Sequence, residues 1–220
     1  MANKRGTGLH MVFAEIPADK EDEFNRWYDE EHIGDILALP GVLNAARYVA
    51  VSGGPKYLTC YELETPDAMW TPEYENERKN SADWTKRMNP RVIGSENVSN
   101  VYQQIHPADV SQDLAQSEMA PVLQIGRMNV PEFVEDEFNP WYNTVYVPNY
   151  EKVPGCIRAR RYRAVNGWPL YSVVYEFEHE KVSQSPEWLA TRYAHPDNVR
   201  MRGLMVHANR SPGIYKKIFP

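Results

Sequence analysis

The feature that most constrains this chain is a repeat. EDEFNRWYDEEHIGDILALPG, residues 21–41, returns as EDEFNPWYNTVYVPNYEKVPG, residues 135–155. At an offset of 114 the span 21–64 aligns without a gap to 135–178, with 20 of 44 positions identical. The tails also correspond, VYQQIHP (101–107) answering IYKKIFP (214–220). Two copies, each of domain size, indicate a tandem duplication rather than a solenoid of short repeats. The chain is therefore expected to divide into units 7–107 and 119–220, joined by a polar linker at 108–118.

Each copy reads in the same order. An apolar strand (9–16, or 122–130) is followed by an acidic stretch suited to the positive end of a helix dipole. Phe24, Trp27, Tyr28 and Glu31 then recur at helical spacing, so one stripe of that helix is aromatic. Pro40-Gly41 stops it. Strands at 42–51 and 57–64 follow, separated by a turn at Gly53-Gly54-Pro55, then a second helical region and a last strand. The order β-α-β-β-α-β is that of a ferredoxin-like unit, whose four-stranded antiparallel sheet leaves one face uncovered. The expected fold is thus α+β: tandem ferredoxin-like repeats whose sheets pack face to face as a pseudo-dimeric α/β barrel, with a cavity between the sheets.

Phe, Trp-Tyr and then His32 on one helix, running into Pro-Gly and a strand with Arg-Tyr, resembles the dimeric α/β-barrel superfamily and, within it, the EthD-like branch. The resemblance covers nearly the whole chain as two fused copies. It implies a small-molecule cavity and places a histidine of interest at His32. That superfamily spans cofactor-free monooxygenases, muconolactone isomerases, polyketide cyclases and haem-handling enzymes, so the fold alone selects no reaction.

Composition removes several classes. A net charge of −6 and a pI near 5.6 argue against a nucleic-acid partner. No run approaches the ~20 apolar residues of a membrane span. Cys60 and Cys156 have no metal-site spacing, which points to a reduced, cytoplasmic setting. Metal and cofactor motifs are absent: there is no His-x-x-x-His, no cysteine cluster, no glycine-rich phosphate loop and no Gly-x-Ser-x-Gly elbow.

The two copies differ where chemistry would sit. Tyr28 and His32, at i and i+4, share a helix face, and imidazole suits proton transfer near neutrality. Asp29 or Asp35 is positioned to orient that ring. In the second copy Tyr146 replaces His32, and Asn143-Thr144-Val145 replaces Asp29-Glu30-Glu31. His10 shares a strand face with Val12 and Ala14 and is a further acid or base if that face lines the barrel. Candidate catalytic residues are therefore His32, Tyr28, His10 and Tyr146.

Candidate substrate-binding residues are Arg47, Tyr48, Trp27, Tyr142, Arg160, Arg161 and Tyr162. Four arginines between 158 and 163 are many for a half-buried strand and suit a bidentate grip on a carboxylate. The expected activity is a cofactor-independent isomerase acting on a small carboxylated intermediate of aromatic-compound breakdown. A cofactor-free monooxygenase and an EthD-like accessory or ligand-binding protein without catalysis are the alternatives. The fused copies make a monomer with an internal pseudo-dimer feasible, and a homodimer is the other expectation.

Overall fold

In a computed structural model of the protein, which describes residues 4–220, those residues form nine strands and ten α-helical segments. The first stretch runs β1 (Gly8–Glu15), α1 (Glu21–Trp27), a π-helical turn (Tyr28–His32) and α2 (Ile33–Leu37). Then come β2 (Val42–Ser52), β3 (Tyr57–Leu63), α3 (Pro72–Asn80), α4 (Asp83–Met88), α5 (Pro90–Ile93) and β4 (Glu96–His106). The short helix α6 (Gln112–Gln116) lies within the expected linker. The order then recurs as β5 (Val122–Asn129), α7 (Glu135–Trp141), a second π-helical turn (Tyr142–Tyr146) and α8 (Val147–Glu151). It continues through β6 (Cys156–Asn166), β7 (Tyr171–Phe177), α9 (Pro186–Thr191), α10 (Asp197–Gly203), β8 (Val206–His207) and β9 (Gly213–Phe219).

The strands do not form two stacked sheets. They make one sheet in the order β7-β6-β4-β1-β3-β2-β9-β5, which β5 and β7 close into an eight-stranded antiparallel barrel; β8 adds to β5. The expected face-to-face packing of two ferredoxin-like sheets is overturned by the β2–β9 and β4–β6 ladders, in which Tyr48 pairs with Lys217 and Tyr102 with Ala164. Burying an apolar sheet face does not by itself satisfy the sheet's edges. An open edge leaves a row of unpaired N–H and C=O groups, and closure removes it.

Nor is the barrel interior a ligand cavity. Leu9, Met11, Phe13, Leu58, Cys60, Leu123, Ile125 and Val174 fill it with the tyrosines Tyr48, Tyr102, Tyr162 and Tyr215. Strand alternation sends the other side chains outward, so His10 and Ala14 lie under the helices instead of in the barrel. A second apolar layer joins Phe24, Trp27, Tyr28, Ile33 and Ile36 to the outer face of β1–β3. A third joins Phe138, Trp141, Tyr142, Tyr146, Val147 and Tyr150 to β5–β7.

The repeated Pro-Gly has a steric basis. Gly41 and Gly155 take φ of +80° and +84°, where a side chain is strained. A Cβ on Gly41 would lie 2.8 Å from Ala68 Cβ, and one on Gly155 2.6 Å from Val182 Cγ2.

Candidate functional site

A cavity of about 370 Å³ opens between the outer face of β1, β3 and β4 and the helical layer above it. His10, Tyr61 and Ser99 form its floor; Trp27, Tyr28, His32 and Ile36 form one wall. The segment from Trp70 to Arg91 covers it, bringing Tyr74 and Thr85 against the space.

The wall owes its shape to the π-helical turn. Ile33 N–H bonds to the Tyr28 carbonyl, five residues back rather than four. The wider turn lays His32 over Trp27, with ring centroids 4.4 Å apart and planes within 20°, while Tyr28 meets the imidazole edge-on at 5.2 Å. Trp27 is fully buried, and its Nε1–H donates to Thr85 Oγ1 (2.9 Å); the Thr85 hydroxyl in turn donates to Glu31 Oε1 (2.8 Å). A carboxylate on the helix thus fixes the indole that supports the imidazole.

Both histidines are held neutral. Burial lowers the pKa of His32 to about 4, helped by the charge of Arg47. Burial lowers that of His10 to about 3, with smaller contributions from His32 and Arg91. His10 is 7% exposed, stacks on Tyr61 at 5.7 Å and has Nε2 2.9 Å from Ser99 Oγ. Burial also raises the pKa of Tyr28 and, more strongly, of Tyr61, so both phenols stay protonated as potential donors. Among the described residues, three buried polar atoms around the space, His10 Nδ1, His32 Nδ1 and Tyr61 Oη, have no hydrogen-bond partner. Buried polar groups are normally satisfied, and such clusters are left for water, ligand or chemistry.

Of the expected residues, His32, Tyr28, His10 and Trp27 therefore converge on one cavity, and the others lie elsewhere. Arg47 is buried outside the barrel wall, clipped to Asp29 Oδ1 (2.6 Å) and Asn25 Oδ1 (2.6 Å), with its guanidinium 4.5 Å from the Tyr28 ring centroid. That pairing also removes Asp29 as an orienter of His32. Arg161 repeats the clip on Asn139 and Asn143 and stacks on Tyr142 at 4.1 Å. With amides in place of a carboxylate, burial lowers the Arg161 pKa. Tyr48 and Tyr162 point into the packed barrel, where Tyr48 Oη donates to the Ala120 carbonyl (3.1 Å). Arg160 is in the interior too, bonded to Glu62 Oε1, Gln104 Oε1 and the Gly6 carbonyl, each at 2.7 Å.

Tyr146 lies under the second helical layer, 3.4 Å from the Tyr150 hydroxyl. There Tyr150 replaces Ile36 and Trp188 replaces Tyr74, at the same offset of 114. Tyr150 packs on Tyr146, Tyr175 and Trp188 with centroids 4.8, 5.5 and 4.3 Å apart. Aromatic rings thus occupy the space that is open beside His32.

Sequence reasoning missed the cover of the cavity: Tyr74, Thr85, Asn89 and Arg91, with Tyr61 and Ser99 below. One signal was legible. Thr71 and Ser185 both precede Pro at helix starts, and each caps its helix by accepting the N–H of the residue three later, Tyr74 or Trp188.

The cavity is near the small end of the ~300–1,000 Å³ range of ligand pockets, sized for a compact molecule rather than a porphyrin.

No family model matches the sequence, and no curated protein matches it. Solved structures do resemble it. An anthrone oxidase-like protein superposes with a TM-score of 0.65 at 12% identity, covering 98% of this chain and 93% of its own. A protein from Lactobacillus acidophilus NCFM, provisionally described as a monooxygenase, gives 0.56 at 9% identity, covering 96% and 93%. A mutant chlorite dismutase from Candidatus Nitrospira defluvii gives 0.56 at 10% identity, covering 98% and 93%. At these identities the likeness is one of fold. The chain shares with these structures its closed antiparallel barrel and external helices.

Proposed function

We propose that the protein is a cofactor-independent acid–base enzyme, an isomerase that relocates a proton on a compact conjugated substrate. The observation that carries this reading is the convergence of two neutral imidazoles and two protonated phenols on one cavity, with His10 Nδ1, His32 Nδ1 and Tyr61 Oη unpartnered. His32 takes a proton from carbon next to a carbonyl or along its conjugated system, giving an enolate and an imidazolium. Tyr61 or Tyr28 donates a hydrogen bond to the enolate oxygen. The imidazolium returns the proton to the far end of the system, so the double bond moves and no proton is gained or lost overall. The negative intermediate stabilises the imidazolium beside it, which offsets the low pKa of the empty site.

The test is His32→Gln assayed on conjugated enones and ring-cleavage dienols by ultraviolet absorbance. A general base here is expected to be worth about 10²-fold or more in turnover; unchanged turnover removes His32 from that role. A second reading has the enolate react with dioxygen. The likeness to the anthrone oxidase-like and monooxygenase-described structures favours it at the level of fold. Oxygen uptake during turnover selects it. Ligand retention with no product selects the accessory, EthD-like reading instead.

A further inference from the structure

We infer that Arg91 is the anion anchor of this cavity and that the compound bound there carries a carboxylate. This deepens the acid–base reading by naming the substrate class, and it rests on that reading for what happens after binding.

Arg91 lies on α5, where Asn89 Oδ1 accepts its backbone N–H (2.9 Å), and its side chain lines the cavity. Among the described residues its guanidinium forms no ion pair and no side-chain hydrogen bond, whereas its neighbour on the rim, Arg78, is held by Glu75 at 3.2 Å. The arginines first considered as anchors are all engaged, Arg47 with Asp29, Arg160 with Glu62 and Arg161 with amides. Arg91 is close enough to His10 and Tyr74 for its charge to lower the pKa of each. Arg91 is exposed at the rim, and a fork of N–H donors there, at a lining that carries aromatic rings and also Glu77, favours a planar anion that it can grip in a bidentate pose.

The floor supports the same assignment. In the tautomer in which the Ser99 hydroxyl donates to His10 Nε2, the neutral ring carries its proton on Nδ1, and that unpartnered atom is then a donor for the second carboxylate oxygen. The conjugated body then lies along Tyr61, Tyr28 and Trp27 toward His32.

The experiment titrates the full chain with benzoate and with benzamide, its neutral isostere, following the fluorescence of Trp27 and Trp70, which line the cavity. Wild type should prefer benzoate by about ten- to a hundredfold, the usual worth of hydrogen bonds to a charged group. Arg91→Gln should abolish that preference and Arg91→Lys should keep part of it. Equal affinity of wild type for the two probes, absence of binding, or a preference that survives Arg91→Gln overturns the anchor. No turnover is involved, so the two readings fail separately. An inactive His32→Gln beside a missing benzoate preference sinks the anchor alone. A benzoate preference beside a fully active His32→Gln sinks the acid–base reading alone.

Discussion

His32 lies flat on Trp27, 4.4 Å between ring centroids, because the helix widens by one residue between them. With α-helical spacing His32 would project over Tyr28, four residues back; the π turn brings it over the residue five back. The arrangement recurs as Trp141 and Tyr146, at 4.8 Å and 40°. What distinguishes the first copy is thus its side chains on a shared backbone device: a titratable ring at 32, and Glu31 rather than Val145 beside it.

Thr85 should matter to the site without touching the reacting atoms. Its hydroxyl accepts from Trp27 and donates to Glu31. Thr85→Val leaves a buried indole N–H unsatisfied, a loss of about 1–3 kcal/mol. Turnover should fall and its pH profile shift as His32 loses its seat, and Thr85→Ser should restore both. A variant that is merely less stable, with an unchanged pH profile, argues against positioning.

Acid should unfold the protein through its histidines. His32 and His10 titrate near 4 and 3 when folded, against 6.5 when free. Below about pH 6.5 the unfolded chain binds protons that the folded one refuses, so stability falls as pH drops toward 4 and then toward 3. For His32 alone the full effect is roughly 3 kcal/mol. Urea denaturation of wild type and His32→Gln at pH 7.5 and 4.5 checks this. The pH-dependent loss should be smaller in the variant, and equal losses would remove the neutral-imidazole account.

The repeat in the sequence led to the element order of each copy and to Tyr28 and His32 as neighbours on one helix, since helix face follows from local spacing, but the two face-to-face sheets expected from it give way to one closed barrel, and His10 lies outside that barrel rather than within it. It did not reveal edge pairing, because a ladder such as Tyr48 to Lys217 joins residues far apart with no local mark. For the same reason Arg47 and Arg160 read as free cations although each buried guanidinium has a carboxylate partner from another element, the exposed Asp29 or the buried Glu62. Tyr74 and Arg91 belong to the cover, where the repeat marks only the helix start shared by Thr71 and Ser185 and the copies otherwise diverge.

The charges closing one end of the barrel should be mutually dependent. Arg160 and Arg5 bracket Glu62 and Glu176, all four side chains no more than 3% exposed. Arg160→Met leaves Glu62 without its closest partner and should cost about 3–5 kcal/mol. Glu62→Gln in the same background should recover part of that. Chemical denaturation of the single and double variants measures the coupling, and strictly additive losses would mean the pair is not a unit.

The open cavity and the filled one should be interchangeable by single substitutions. Ile36 borders the open space and Tyr150 occupies its counterpart, packed on Trp188 at 4.3 Å. Ile36→Tyr should place a ring where substrate lies, abolishing ligand binding while the fold persists. Tyr150→Ala should cost about 3–5 kcal/mol, as other large-to-small core changes do, and leave an apolar hole able to take a small aromatic ligand. Benzyl alcohol should therefore raise the melting temperature of Tyr150→Ala more than that of wild type. The new hole should show no acid–base turnover, because Tyr146 stands where His32 does in the first copy. Turnover that survives Ile36→Tyr would place the chemistry outside this cavity.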